Sequence, residues 1–324
     1  MELSEVGEFG LIDLLRAKVG EPGEGEVWVG DDTAVLRAPA GTILFTTDLL
    51  VEHVHFDTAF IGPEDLGYKS IAVNISDVAA MGGVPRRAVV GLGVSPDLEV
   101  EWIEKLYAGM RECCDEFDMA VVGGDLSRSK ELIISVALLG NPAGRLFVPR
   151  SGARVGDAVC VTGTLGASAA GLRLMREENK ERLDLLKAHL RPTPRVRESQ
   201  VLRKHLPTAM IDISDGFSVD LGHICESSDV GVVVEGGDLP LVDLSGVTVD
   251  ESPLQLGLSG GEDYELCFTI PQDRCAAAMS AVTKATGTKV TRVGEIVESS
   301  RGRVLLVESG DTPLEAPGWD HLRV

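Results

Sequence analysis

Five times along this chain an apolar run gives way to aspartate beside glycine or a hydroxyl residue. The sites are Asp31 and Asp32 in VGDD, Asp48 in LFTTD, Asp77 in VNISD, Asp125 in VVGGD, and Asp212 and Asp215 in IDISD. A strand ending in Asp presents a carboxylate at the edge of a sheet, and a neighbouring Gly lets a ligand approach the backbone. Any one of these reads as a turn or helix cap. Five together demand a fold that converges several such edges, and an oxygen-rich cage of that kind suits hard divalent cations. The cluster pattern therefore points to Mg²⁺-dependent phosphate chemistry.

Strand-like and helix-like segments alternate, as in an α/β protein. Segments 43–47, 87–94, 119–122 and 131–139 read as strands. A helix is expected over about 64–81, with Leu66, Ile71, Ile75, Val78 and Ala79 on a buried side and Asn74 and Asp77 on a more polar one. A second, over about 98–117, carries the stripe Ile103, Leu106, Met110, Cys113 and Phe117. A Gly/Pro-rich break near 140–144 and a connection through 148–152 divide the chain into domains 1–145 and 146–324. Beyond it, a strand at 158–162 runs into GTLGAS, a helix from about 167 and a charged helical stretch to His189. Helices near 195–204, 217–227 and 273–286 and a strand at 230–235 follow.

The net charge, 30 − 51 = −21, argues against a nucleic-acid-binding surface. Bound cations would have to reverse that sign locally for an anionic substrate. No apolar stretch approaches the length of a membrane span, and MELSEVGEFG lacks the features of a signal peptide, so residence in the cytoplasm is expected. The six cysteines include no C-x-x-C pair and read as buried small hydrophobes, which makes zinc improbable.

Neither a P-loop nor the protein-kinase motif set is present. The Gly163–Ser168 turn reads either as an anion-holding helix start or as a tight βα turn. His53-Val54-His55 alternates as a strand would, with both imidazoles on one face; His55 reads as a substrate-phosphate or ring contact, or as structural. Arg150, at the domain connection, can fork onto a nucleotide phosphate or form a surface ion pair. The acidic loop 260–265 reads, by itself, as a turn with a solvated edge as readily as a site.

GEFGLI, GDD, TTDLLVEHVHF, LGYKSIAVNISDVAAMG, VVGGDLSR, RSGARVGD, VTGTLGASAAGL, HLRPTPRV, IDISDGFSVDLGHI and SGGEDYELCFT occur in this order over nearly the whole chain. Jointly they resemble the thiamine-monophosphate kinase family. Its superfamily also holds aminoimidazole ribonucleotide synthetase, selenophosphate synthetase and a hydrogenase-maturation protein, all ATP users without a P-loop.

The resemblance implies two domains of α/β (α+β) type: an N-terminal mixed sheet forming a dimer-spanning barrel, and a C-terminal α/β domain closing the nucleotide site. It further implies Asp32, Thr46, Thr47, Asp48, Asp77, Asp125 and Asp212 as Mg²⁺ ligands, with Asp215 a further candidate. Tyr107, Gly124, Asp125, Arg150 and Ser214 would contact ATP. His55, Glu262 and Trp319 would contact thiamine monophosphate, Trp319 by stacking. The implied activity is ATP-dependent phosphorylation of thiamine monophosphate to thiamine diphosphate by a homodimer, without a general base. Another ATP-using enzyme of the superfamily, or a non-catalytic nucleotide or cation sensor, are the alternatives. The first cysteine, Cys113, falls too late for the N-terminal reactive residue of a selenophosphate synthetase.

Overall fold

The computed structural model describes residues 24–27, 31–38, 41–144 and 147–314. Strands β1 (Ala34–Ala38), β2 (Gly41–Val51), β3 (Gly83–Val94), β4 (Ala120–Arg128) and β5 (Ile133–Pro142) form one sheet in the order β1-β2-β5-β3-β4. All its pairings are antiparallel except β3 with β4. Helices α1 (Pro63–Ala80) and α2 (Val100–Glu116) cover one face. Their close approach depends on two glycines: a Cβ on Gly67 would strike the Leu106 carbonyl, and one on Gly109 the Glu64 carbonyl.

Alternation along β2, β3 and β5 buries Leu44, Leu50, Ala88, Val90, Leu92, Ile134, Val136 and Leu138 beneath those helices. The opposite face stays open and carries Phe45, Leu49, Val89 and Leu139, each more than a third exposed.

β6 (Asp157–Thr162), β7 (Ala209–Asp212), β8 (Val230–Glu235), β9 (Leu266–Pro271), β10 (Val290–Glu298), β11 (Arg303–Val307) and β12 (Gly310–Pro313) form the second sheet. Its order is β12-β11-β8-β10-β6-β9-β7. Every residue of β6 is buried, because the sheet is covered on both sides. Val159 and Val161 pack with α6 (Phe217–Ser228), while Ala158 and Cys160 pack with α8 (Gln272–Thr286). α3 (Ala167–Arg176), α4 (Leu183–Leu190) and α7 (Pro253–Ser259) build a satellite core, and α5 (Val196–Leu202) leans on α1. All six cysteines are buried and unbridged.

Three expectations need correction. His53–His55 is a turn, not strand: His53 has φ 66 and its ring faces Asp57, whereas His55 Nδ1 accepts the Val51 N–H. The charged stretch before His189 is two helices, α3 and α4, broken near Glu178 at φ 55. Finally, α1 has almost no polar side. Asn74 and Lys69 are as buried as Ile71, because α5 and β7 pack where solvent would otherwise lie.

Candidate active site

The last turns of α1 bring the two sheets together. Asp77 leaves α1 toward β2, where the Thr46 hydroxyl donates to its Oδ2 at 2.5 Å. One residue earlier, the Ser76 hydroxyl donates to Asp212 Oδ2 at 2.6 Å, at the end of β7. Asp32 joins them, and one carboxylate oxygen from each of Asp32, Asp77 and Asp212 lies within 4.8 Å of the others. Asp48 stands beside them, its backbone N–H donating to Asn74 Oδ1 at 3.1 Å.

At that spacing two bare carboxylates repel by about 3 kcal/mol at an effective dielectric near 20. Burial, then the neighbouring Asp48, Asp212 and Asp32, push the Asp77 carboxyl well above its usual range. Burial and Asp32 do the same to Asp212, and burial alone pushes Asp48 up to about 6.

Arg150 is the opposing charge. Its Nη2 donates to Asp32 Oδ1 at 2.8 Å, and its backbone N–H donates to both oxygens of Asp31. The surface ion-pair reading fails, since Asp32 is almost wholly buried. Two atoms at this junction are buried without a protein partner, Asp32 Oδ2 and Arg150 Nε. An unsatisfied carboxylate oxygen beside an unsatisfied guanidinium N–H is costly unless a ligand completes both. An all-oxygen set with one open acceptor fits a hard cation such as Mg²⁺.

Other expected site residues fall around this centre. Ser214 and Asp215 follow β7 in a loop whose shape is held by Asp220, a residue the sequence reading missed. Asp220 Oδ2 accepts three consecutive backbone N–H groups, from Ser214, Asp215 and Gly216, at 3.0–3.2 Å. The only hint was its position four residues past Gly216, inside the first turn of α6. An Asp220→Ala variant is expected to lose about 2–3 kcal/mol, since three N–H groups lose a buried acceptor. Denaturant titration checks this, and a loss below about 0.5 kcal/mol would contradict it.

Asp125 and Thr47 stand apart from the carboxylate centre. Asp125 pairs with Gly91, between the core-facing Val90 and Leu92, so the register sets it on the open face; Thr47 lies there too. Gly124 has a packing reason of its own, because a Cβ there would strike the Val90 carbonyl. Tyr107 is a partly exposed residue of α2. His55 lies in the turn after β2, and Trp319 falls outside the described residues.

The Gly163–Ser168 turn is not an empty anion site among these residues. Asp263 already caps α3, with Oδ2 accepting from Gly166 N–H at 2.7 Å and Oδ1 from Ser168 N–H at 3.2 Å. Loop 260–265 is not a solvated edge either: Glu265 is buried, accepting from Thr162 and, bidentately, from Arg195.

Residues 30–141 match the AIR synthase related protein N-terminal domain, and residues 154–307 its C-terminal domain. The two sheets and the carboxylates where they meet thus define an AIR synthase related protein. Thiamine-monophosphate kinase of Aquifex aeolicus (strain VF5) is 39% identical over 99% of this chain and 100% of its own. That of Escherichia coli (strain K12) is 39% identical over 97% of this chain and 98% of its own. The chain belongs to the thiamine-monophosphate kinase family. A solved structure of AaThiL complexed with AMPPCP and TMP superposes with TM-score 0.86 at 38% identity, covering 99% of each chain.

Proposed function

We propose that the site transfers the terminal phosphoryl group of ATP to the phosphate of thiamine monophosphate, giving thiamine diphosphate. The observation that carries this reading is the pair of unsatisfied buried atoms, Asp32 Oδ2 and Arg150 Nε, at the meeting of the two sheets. Kinship with thiamine-monophosphate kinases over nearly the whole chain, and the superposition on AaThiL complexed with AMPPCP and TMP, support this choice of substrates.

The acceptor oxygen belongs to a phosphate that is already largely ionised at neutral pH, so no side chain has to remove a proton. The chain's task is to hold two anions in line and offset their repulsion. Asp32, Asp48, Asp77 and Asp212 would hold the cations, with Thr46 and Asp215 as further ligands, while Thr47 and Asp125, on the open face, would hold a cation of their own. Mg²⁺ bound there supplies the charge neutralisation that phosphoryl transfer needs. Arg150 turns its guanidinium to the nucleotide phosphates, and Ser214, Gly124, Asp125 and Tyr107 line the nucleotide. His55, Glu262 and Trp319 hold thiamine monophosphate. The reaction belongs to the cytoplasm, where ATP is at hand; among the described residues no helix is long and apolar enough to cross a membrane.

Incubation with ATP, Mg²⁺ and either thiamine monophosphate or thiamine tests the reading by chromatography. Thiamine diphosphate is expected from the monophosphate. Free thiamine should react at least on the order of 10²-fold more slowly, because its hydroxyl needs a base that this site lacks. Equal rates with the two acceptors would overturn the phosphate-acceptor mechanism.

The open face of the first sheet supports a homodimer. Phe45, Leu49, Val89 and Leu139 form an apolar patch that a second sheet would cover, as in a barrel shared by two chains. Light scattering should return twice the chain mass at micromolar concentration, and a stable, active monomer would refute the arrangement.

A further inference from the structure

Lys69 is, with Phe217 and Phe268, among the largest side chains of the described residues to be wholly withdrawn from solvent, at 1% exposed. It sits in the middle of α1, and nothing in the carboxylate centre uses it. Its ammonium donates to Glu262 Oε1 at 2.8 Å and lies 3.5 Å from His189 Nε2. On the far side of that ring, His189 Nδ1 is 3.0 Å from the Ser168 hydroxyl and 3.4 Å from Glu262 Oε2.

These contacts define the histidine. An ammonium has only donors, so Nε2 must offer its lone pair, and the proton sits on Nδ1 facing Ser168 and Glu262. The neutral form agrees with burial and the adjacent Lys69, which push the His189 pKa down to about 4. Lys69 is thus the cation of the cluster and Glu262 its anion, and α1, α3, α4 and loop 260–265 are tied at one point.

Glu262 is the one member of the cluster that reaches solvent, with 31% of its side chain exposed against 1% for Lys69 and 6% for His189. Its backbone is held at φ 58, and its N–H donates to the Ser214 carbonyl at 2.7 Å. The carboxylate is fastened from behind and presented outward. Lys69 and Asp77 share α1, eight residues and so about 12 Å apart along its axis. One rigid helix therefore fixes Lys69, and through it Glu262, relative to Asp77 and the carboxylate centre.

We infer that Lys69 is a positioning residue for the acceptor: its buried ammonium fixes the Glu262 carboxylate where thiamine monophosphate binds. This rests on the proposed contact between Glu262 and that substrate. Lys69 itself touches no substrate and acts through Glu262 alone.

Steady-state kinetics of the full chain with Mg²⁺ and ATP test it in three variants: Lys69→Met, Glu262→Gln and the double substitution. Lys69→Met should raise KM for thiamine monophosphate on the order of tenfold to a hundredfold, the loss expected when a charge-assisted hydrogen bond no longer holds its carboxylate. KM for ATP should move by less than about twofold, a split that general loosening of the fold would not produce. Glu262→Gln should show the same split, and the double variant should be no worse than Glu262→Gln.

The double variant buries no unpaired charge, so it stays folded even where Lys69→Met does not. A double variant clearly weaker for thiamine monophosphate than Glu262→Gln would overturn the proposal while leaving Glu262 as a contact. An unchanged KM in Glu262→Gln would remove Glu262 from the acceptor site, and the role of Lys69 with it. Neither result bears on phosphoryl transfer itself, which thiamine diphosphate formation by the unaltered chain reports.

Discussion

Asp77→Asn is expected to lower kcat on the order of 10³-fold, about 4 kcal/mol of transition-state stabilisation. The same change is expected to raise the melting temperature of the metal-free protein. Both effects have one cause. Asp77 occupies the middle of the carboxylate group, pushed well above its usual pKa by burial and by Asp48, Asp212 and Asp32. Asparagine keeps the shape and can still accept from the Thr46 hydroxyl, while removing one buried negative charge. Without metal that relieves repulsion; with metal it deletes a central ligand. Function is here held at a cost to stability, as at other preorganised sites. Near-normal turnover would remove Asp77 from the metal centre, and a lowered metal-free melting temperature would contradict the repulsion.

Metal removal should produce the second large effect, with a definite pH signature. Carboxyls whose pKa is raised by folding bind more protons folded than unfolded, so stability falls as pH rises between the two values. Burial lifts Asp48 from 3.8 to about 6, and burial together with Asp32 lifts Asp31 from 3.8 to about 7. The penalty from these two carboxyls is absent below about pH 4 and complete above about pH 7, the window set by those shifts. In EDTA, stability contributed by this site should therefore decline across that window, with Asp77 and Asp212 extending the decline to higher pH. Saturating Mg²⁺ at about a hundred times its Kd should restore about 3 kcal/mol above pH 7, several degrees of melting temperature, and much less near pH 5. Thermal melts at several pH values, with and without Mg²⁺, check it. A Mg²⁺ effect that is equal at pH 5 and pH 8 would contradict the account.

Much of this site could be read from the chain because its signals are local. Asp32, Asp77 and Asp212 each follow an apolar run, and the structure brings all three within 4.8 Å. The apolar stripe of α2 and the apolar runs 158–161 in β6 and 230–234 in β8 also speak for themselves at short range. What could not be read depends on long-range pairing. Asp125 looks like the other aspartates, yet its register beside Gly91 turns it to the open face. His53 and His55 alternate like strand residues, but the chain has already left β2 and is held in a turn by Val51 and Phe56.

The acidic residues Asp220, Asp263 and Glu265 resemble ligands by composition, whereas they serve the protein's own N–H groups, hydroxyls and Arg195. Only the three-dimensional arrangement separates a carboxylate whose partners are all protein groups from one, like Asp32, that retains an open oxygen. Lys69 was hidden for a related reason. Its neighbours in sequence mark it as one more residue of a helix, and its partners lie 120 and 193 positions away along the chain.

At the centre stands metal-dependent transfer of phosphoryl from ATP onto a phosphate acceptor. Its most direct measurement follows the label of γ-³²P-ATP after incubation with the pure protein, thiamine monophosphate and Mg²⁺. The label should appear in the terminal phosphate of thiamine diphosphate, and chelation of the metal should stop its transfer. Label found only in inorganic phosphate, or transferred equally well in excess EDTA, would contradict the claim.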